Sequence, residues 1–236
     1  MTIPMIVHAD WISIKKNTKP FIAIPQEYQE AYPQPLIGIG WEDGVHISRD
    51  GLDLYCTYVP GDFLSFVLSK QTPFEFNQFR RGRDFGMDLT TVPEGLPKKG
   101  WIHSDILYAH RNATTDSFTT WTLSNMARNI YSEGAPSPYF KDTNQVEWML
   151  FTSNDSVDYD QDIWMIKNTT ANPSGKGAPL SETVNSKYNE DNPHLERLGP
   201  IDLVLFFDSD NRPGRGSHDI WYSLSRDNGQ RWSKPV

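Results

Sequence analysis

The sequence is poor in cysteine and in basic residues, and it contains no long apolar run. Cys56 is the single cysteine among 236 residues, which excludes an internal disulfide. There are 22 Lys and Arg against 30 Asp and Glu, giving a formal net charge of -8, so the chain lacks the basic surface that phosphate binding requires. We therefore expect no nucleic-acid partner. No segment has the apolar length of a membrane span or a helical period sustained over three turns.

Several catalytic and targeting motifs are missing as well. No Gly-x-Ser-x-Gly elbow supports a serine nucleophile, and no Gly-rich loop is suited to phosphate binding. The N-terminus lacks a basic segment followed by an apolar core, so we expect no signal peptide. The cellular compartment is left undecided, because an extracytoplasmic protein whose signal peptide had been removed would show the same sequence.

What the sequence does contain is a series of short runs rich in aromatic and β-branched residues. Aromatic residues make up 13% of the chain, with eight Trp. The runs are bounded by Gly, Pro, Asn and Asp, which is typical of β-strands joined by turns. The C-terminal stretch predicts one antiparallel unit of four strands, at residues 192–196, 201–207, 218–224 and 230–236.

The same unit recurs upstream at intervals of roughly 40 to 60 residues, the period of propeller blades. Its second strand is repeated as LDLYCTY (52–58), SDILYAH (104–110), VEWMLFT (146–152) and IDLVLFF (201–207). Its third strand carries Asp-Ile-Trp at 162–164 and again at 219–221, which makes Trp164 and Trp221 equivalent residues between sheets. The repeat predicts an all-β fold and one domain over residues 1–236. This domain is a five-bladed β-propeller of four-stranded antiparallel blades, with four blades from residues 41–236 and the fifth from the first 40.

Two of these repeats resemble a known family. GVHISRDGLDLYCTY from residue 44, and NEDNPHL followed by LVLFFDSDNRPGRGSHDIWYS from residue 203, resemble the TolB-type propeller repeat. That repeat runs from an acidic loop through an inner strand, a Ser-x-Asp-Gly turn and a second strand to Asp-Ile-Trp or Asp-Ile-Tyr. The resemblance spans residues 41–236 and is poor in the second repeat, whose inner strand we place at 85–90. TolB-like propellers are often scaffolds, which implies a non-catalytic module that binds a protein or a glycan.

Residues 225–232, SRDNGQRW, match the Asp-box of sialidases, Ser-x-Asp-x-Gly-x-x-Trp. The box is a structural turn, so it favours a sialidase-like propeller fold and says nothing of activity. The arginine cluster that binds a sialic acid carboxylate has no convincing counterpart, because Arg80, Arg81 and Arg83 precede one repeat only. Five-bladed glycosidases of the arabinanase type, which set three carboxylates around a central funnel, are a second comparison without a motif matched residue by residue.

The candidate site follows from the repeat, because equivalent positions on inner strands converge on the channel of a propeller. The inner strands contribute four predicted substrate-binding residues, His46, Asp88, Tyr139 and His194. The loops that lead into these strands lie at one mouth and contribute three predicted catalytic acids, Asp43, Asp84 and Asp191. The same loops carry Glu42, Glu133 and Glu190.

These residue types allow two kinds of chemistry, each with a simpler alternative. His46 and His194 with a carboxylate would suit a divalent metal ion in the channel, or they line a water-filled channel. Two mouth carboxylates would act as acid and base in glycoside hydrolysis, or each caps the backbone of a turn. The sequence favours a carbohydrate-active propeller, a glycoside hydrolase with its site at the channel mouth and a glycan or small-molecule ligand. The alternative is the non-catalytic TolB-like module, so catalysis itself is left undecided.

Overall fold

The computed structural model of this chain describes residues 35, 40–61, 68, 83–89, 91, 94, 102–126, 130–140, 144–156, 159–167, 169–175, 177–210, 213–214 and 216–236. All of them belong to the unit formed by residues 34–236. Within these ranges, no helix combines the length and the hydrophobicity that crossing a membrane requires. The predicted fifth blade, from the first 40 residues, lies outside the described ranges except at positions 35 and 40.

The described strands form three antiparallel sheets, each a meander in chain order. Sheet 1 contains β1 (Trp41–Ile47), β2 (Asp53–Val59), β3 (Asp105–His110) and β4 (Thr122–Leu123). Sheet 2 contains β5 (Glu133–Tyr139), β6 (Trp148–Ser153), β7 (Asp162–Lys167) and β8 (Ala178–Pro179). Sheet 3 contains β9 (Glu190–Arg197), β10 (Leu203–Asp210) and β11 (His218–Ser225). The predicted all-β class with four-stranded antiparallel sheets is confirmed.

The C-terminal residues complete sheet 3 as its outer strand. Tyr222 and Val236 exchange both of their backbone hydrogen bonds, each at 3.0 Å. The backbone N-H of Ser233 donates to the carbonyl of Leu224 at 2.8 Å. The last residues therefore run beside β11, which confirms the outer strand predicted within residues 230–236.

Two turns with the same hydrogen-bonding pattern follow β1 and β11, at the Ser-x-Asp-Gly turn and the Asp-box of the sequence. After β1, the Ser48 hydroxyl donates to Asp50 at 2.6 Å, and Gly51 supplies the positive φ of 75° that the turn needs. After β11, the Ser225 hydroxyl donates to Asp227 at 2.9 Å in the predicted Asp-box. In both turns a hydroxyl and a carboxylate satisfy backbone N-H groups, so each turn is fixed by local side chains.

The three sheets pack face to face with their first strands together. β5 contacts β1 on one side and β9 on the other. Sheets 1 and 2 share an apolar cluster that includes Tyr55, Ile106, Met149, Phe151 and Trp164. Sheets 2 and 3 share a larger one that includes Leu150, Ile163, Leu205, Phe207 and Trp232. Successive meanders with adjacent inner strands have the arrangement of propeller blades. The number of blades in a complete ring stays a prediction.

The predicted division of residues 41–236 into four blades is wrong in its first half. β3, expected as the second strand of a separate blade, pairs directly with β2 from Asp53↔His110 to Tyr58↔Asp105. Residues 104–110 thus belong to the third strand of sheet 1. The alternation of apolar and polar residues shows which face of a strand is buried, but it does not identify the strand that pairs with it. The sequence therefore could not show that β3 pairs with β2.

Residues 85–89, expected within an inner strand, form a turn and irregular chain. Phe85 and Met87 pack on the face of sheet 1 that points away from sheet 2, against the buried side chains of Leu54, Cys56 and Tyr58. This segment therefore covers sheet 1 instead of lining a channel.

The outward face of sheet 3 is apolar and exposed. Ile220 is 81% exposed, Phe206 39% and Tyr222 38%, and the rings of Phe206 and Tyr222 lie 6.2 Å apart. These residues are on the side of sheet 3 opposite to the cluster shared with sheet 2, because side chains alternate along β10. A further blade of a ring would pack on this face.

We expect Trp164→Ala to lower the free energy of unfolding by about 3 to 5 kcal/mol, because Trp164 is 5% exposed within the cluster between sheets 1 and 2. Trp221 is its equivalent, since Trp164 pairs with Phe151 as Trp221 pairs with Phe207. Trp221 is only partly buried, so Trp221→Ala should cost less. Chemical denaturation measures both values. A loss below about 1 kcal/mol for Trp164→Ala would contradict the packing of these sheets.

Candidate functional site

Each inner strand is interrupted by a β-bulge at the same place. The pairing register shifts between Asp43 and His46 in β1, between Gly134 and Ser137 in β5, and opposite Phe206 and Asp208 in β9. One bulge residue in each strand has a positive φ, namely Gly44 at 55°, Ala135 at 46° and Asn192 at 51°. A bulge adds a residue and redirects the side chains beside it, so these three positions determine what faces the channel.

The bulges define which residues of the repeat are equivalent. His46 pairs with Tyr55, and Ser137 pairs with Leu150 at the same distance beyond the bulge. Ser137, and not Tyr139, is therefore the counterpart of His46 and His194. The predicted equivalence of Tyr139 is wrong by two residues. Because side chains two residues apart share a face of a strand, Tyr139 still lies on the same side as the two histidines.

Two of the glutamates before the bulges, Glu133 and Glu190, support the structure and do not face the solvent. Glu190 is 0% exposed and accepts hydrogen bonds from the Ser186 N-H at 2.7 Å, the Ser186 hydroxyl at 2.7 Å and the Ser209 hydroxyl at 2.9 Å. Glu133 is also buried and accepts from the Ser153 hydroxyl at 3.2 Å. A buried carboxylate is stable only when it is hydrogen-bonded, and the donors come from the preceding loop and from the neighbouring strands β6 and β10.

The aspartates at the bulges of β1 and β9 accept hydrogen bonds from the bulge residues, and Asp43 lines a cavity. Asp43 accepts a hydrogen bond from the N-H of Gly44 at 2.7 Å, and Asp191 accepts one from the N-H of Asn192 at 2.8 Å. Both contacts involve the bulge residue, so the two carboxylates hold equivalent positions on β1 and β9. Asp43 is exposed, whereas Asp191 is half-buried and also accepts from the Thr152 hydroxyl at 3.1 Å.

The different surroundings change the acidity of Asp191. Burial raises the pKa of this carboxyl above its ordinary value, and the charges of Asp208 and Asp43 add to the rise. The hydrogen bonds from Asn192 and Thr152 oppose the rise without cancelling it. Asp43 and Asp208 therefore lie within electrostatic reach of Asp191, and their charges favour its neutral form.

Asp43 opens into a cavity of about 380 Å³ at the end of the sheets where the inner strands begin. Its other lining side chains are mainly hydroxyls, amides and aromatic rings, from Trp41, Thr57, Ser104, Ser132, Asn154, Tyr159, Gln161 and Asn189. We call this space the mouth cavity. Hydroxyl and amide groups beside aromatic rings suit a polar ligand with ring faces, such as a sugar.

A second pocket, of about 260 Å³, lies toward the other end of the inner strands. We call it the histidine pocket, and the side chains that matter for its chemistry are His46, Arg49, Tyr139, Phe140, His194 and Glu196. The structure thus brings together three residues that the repeat placed on one axis. Burial lowers the pKa of His46, and the positive charge of His194 lowers it further. The role of these residues in substrate binding stays a prediction.

The histidines are also the predicted metal ligands. His46 and His194 line the same pocket, and the Nε2 atom of His194 lies 3.2 Å from Oε1 of Glu196. Among the residues whose placement is described, no three or more His, Cys, Asp or Glu side chains are grouped as a metal site would need. A metal in the channel stays a prediction for which two imidazoles are the available nitrogen ligands.

Asp84 and Asp88 lie apart from both cavities. Asp84 accepts from the N-H of Gly86 at 3.2 Å, and Asp88 accepts from the N-H of Thr91 at 3.0 Å, so each caps an exposed turn. Neither lines the mouth cavity or the histidine pocket. The predicted position of Asp88 on an inner strand is wrong, because residues 83–89 pack outside sheet 1. Asp84 is near Tyr58, whose pKa is raised to about 12 by burial, then by Glu42 and to a lesser extent by Asp84.

Three side chains of the site were not foreseen from the sequence. Asp208 is paired with Asp191 across β9 and β10, and Thr152 bonds to Asp191 from sheet 2. Arg49, in the Ser-x-Asp-Gly turn, reaches the histidine pocket. A polar residue near the end of each second strand was the available sequence signal. Thr57, Thr152 and Asp208 are equivalent, because each pairs with the inner strand beside its bulge.

Comparison with known proteins gives a distant structural similarity. No protein-family model matches the chain, and no curated protein matches it. The structure is similar to an endo-arabinase from Bacteroides thetaiotaomicron, with a TM-score of 0.44 and 14% sequence identity. The match covers 82% of this chain and 59% of that chain, so less than two thirds of the arabinase. No family assignment follows, and the predicted TolB-like and sialidase-like relationships stay predictions.

We expect Glu190→Gln to lower the free energy of unfolding by about 1 to 3 kcal/mol. The amide that replaces one carboxylate oxygen would donate toward the hydroxyls and the N-H that Glu190 now accepts from. Chemical denaturation measures the loss, and Glu182→Gln is the matched control because Glu182 is exposed. An unchanged midpoint for Glu190→Gln would show that this glutamate does not support the inner strand.

Proposed function

We propose that this protein is a carbohydrate-active propeller, a glycoside hydrolase with Asp43 and Asp191 as its acid-base pair at the channel mouth. The observation that carries the proposal is the placement of these two carboxylates. They occupy the same bulge position on two inner strands, yet one is exposed at a polar cavity and the other is half-buried with a raised pKa. Carboxylates whose surroundings separate their proton affinities are suited to act as acid and base.

The two aspartates take different roles in this proposal. Asp191 holds the proton, because burial and the neighbouring charges favour its neutral form, and it donates that proton to the leaving-group oxygen. Asp43 is exposed at the mouth cavity, where it either activates water or attacks the sugar as its ionised form. The hydrogen bonds from Gly44 and Asn192 hold both carboxyl groups in place before substrate binds.

Asp208 replaces Asp84 as the third acid in the proposed mechanism. It pairs with Asp191 across two strands, and its Oδ2 atom accepts from the Asn192 side-chain amide at 2.8 Å. Its negative charge helps to keep Asp191 protonated, so Asp208 is a positioning residue that acts through Asp191. Asp84 caps a turn beside Tyr58 and has no role in the proposed chemistry.

The histidine pocket supplies the binding part of the proposal. His46 and His194 offer imidazole groups that suit the hydroxyls of a sugar, while Tyr139 is buried beneath them and supports the wall of the pocket. Asp88 does not line this pocket, because residues 83–89 pack on the face of sheet 1 that points away from sheet 2. His46→Ala and His194→Ala should therefore weaken ligand binding and leave the melting temperature within a few degrees, because both residues line a pocket and neither belongs to the apolar clusters.

The runner-up is a non-catalytic module that binds a glycan or a protein. One observation favours it, since both Asp43 and Asp191 accept hydrogen bonds from the backbone N-H of the next residue, as structural turn acids do. The two functions differ in turnover and not in binding. A glycan that binds to the wild-type protein and is never cleaved would favour the module.

We expect hydrolysis of a panel of nitrophenyl glycosides and polysaccharides to follow a bell-shaped pH profile. Activity falls at high pH as Asp191 loses its proton, and the raised pKa of Asp191 displaces this limb of the profile upward. Asp43→Asn and Asp191→Asn should each lower kcat by about 100-fold or more.

The matched control for this experiment is Asp116→Asn, at an exposed position away from both cavities. It should keep the wild-type rate and profile. Full activity of either mouth variant would overturn the assignment of the acid-base pair. Asp208→Asn should displace the high-pH limb downward at nearly unchanged substrate affinity, because it removes a charge that raises the pKa of Asp191.

A further inference from the structure

The histidine pocket contains a guanidinium group that the proposed hydrolysis does not use. Arg49 follows β1 in the turn before β2, and its guanidinium carbon lies 5.0 Å from the centre of the Phe140 ring. Stacking on an aromatic face orients a guanidinium and leaves its N-H groups directed outward. Within the described part of the chain, no carboxylate forms an ion pair with Arg49. The cation is thus oriented and remains available to a ligand.

The other charged group of the pocket is already engaged. Glu196 lies 3.2 Å from the Nε2 atom of His194, and both side chains are 54% exposed. The pocket therefore combines one fixed positive charge and two imidazoles with a single carboxylate that is paired to one of those imidazoles. This charge distribution favours an anionic group over a neutral one. A guanidinium at the wall also opposes a divalent cation by like-charge repulsion.

We propose that the histidine pocket binds a carboxylate-bearing sugar residue, so that the glycan taken by this protein contains uronate units. The proposal rests on the proposed function for the identity of the ligand as a glycan. Arg49 would bind the carboxylate, since the planar guanidinium matches a carboxylate with two parallel hydrogen bonds. The imidazoles of His46 and His194, which line the same pocket, bond to the hydroxyls of the sugar.

The size and position of the pocket agree with one sugar residue of a longer chain. Its volume, about 260 Å³, lies below the range of roughly 300 to 1,000 Å³ typical of sites for drug-sized ligands. His46 and His194 follow Asp43 and Asp191 by three residues on the same strands, a rise of roughly 7 to 10 Å. A glycan cleaved at the mouth would therefore place a neighbouring residue in the pocket beside Arg49.

The test compares D-glucuronate with D-glucose, which differ at one carboxylate, by isothermal titration calorimetry on the full chain. We expect glucuronate to bind at least tenfold more tightly than glucose. Arg49→Gln should remove most of that preference, and it should leave the melting temperature unchanged because Arg49 is exposed. Arg226→Gln is the charge-matched control, since Arg226 is exposed in the turn after β11, and it should bind as the wild type does.

Two further ligands identify the source of any anion binding. Acetate and inorganic phosphate should compete with glucuronate only weakly, because they lack the sugar hydroxyls that His46 and His194 bind. Competition at equal strength would overturn the assignment to a sugar, and equal binding of glucose and glucuronate would overturn the role of the carboxylate. Binding of calcium or zinc ions in this pocket, detected as shifts of the His46 and His194 imidazole resonances that Arg49→Gln does not alter, would also overturn it.

Failure of this inference differs from failure of the proposed function. Glucuronate that binds through Arg49 while no glycoside is hydrolysed would support the acidic-sugar pocket and refute the hydrolase. Hydrolysis of neutral glycosides without glucuronate binding would refute the acidic-sugar pocket and keep the hydrolase. Asp116→Asn should bind glucuronate as the wild type does, because Asp116 is exposed and is not among the residues of the histidine pocket.

Discussion

The hydrogen bonds between a second strand and the bulge of the next sheet determine how the rest of the structure is placed. The Thr57 hydroxyl accepts from the N-H of Ala135 at 2.8 Å, which joins sheet 1 to sheet 2. The Thr152 hydroxyl donates to Asp191 at 3.1 Å, which joins sheet 2 to sheet 3. Since both contacts end at a bulge, they fix the spacing of the sheets and the direction of the mouth carboxylates together. A change in sheet packing would therefore move the candidate acid.

The bulge also separates structural acids from candidate functional ones. In Glu190 and Asp191, two adjacent carboxylates point to opposite faces of one strand. Glu190 is buried on serine donors, while Asp191 is half-buried and accepts from Thr152 of sheet 2. Glu42 and Asp43 repeat the pair on β1 with an exposed glutamate, and in sheet 2 Gly134 stands where the aspartate would be. A side chain at Gly134 would not fit without a shift, because its Cβ would lie 3.0 Å from the methyl carbon of Thr57.

The sequence predicted the strands better than their partners. The third strand expected at 218–224 is β11 (His218–Ser225), because alternating side chains and turn residues are local properties. β3 pairs with β2 across the connection formed by residues 60–104, and no local sequence pattern indicates this pairing. The proximity of His46 and His194 followed from the repeat. The equivalent residue of β5 is Ser137, which follows Glu133 by four residues as His46 follows Glu42, so the prediction of Tyr139 was two residues out of register. Asp208 was missed because its closeness to Asp191 is a cross-strand property.

The long connection between β2 and β3 has a consequence for the order of folding. In sheets 2 and 3 each strand pairs with its successor across a short turn, so these meanders close small loops and can form early. Sheet 1 must close the loop of residues 60–104 before β3 finds β2, although each doubling of loop length costs only about 0.6 kcal/mol. Closing this loop therefore slows folding more than it lowers the equilibrium stability. Sheet 1 is then the last of the three to assemble, and the mouth cavity, whose wall includes Ser104 and Thr57, is completed with it.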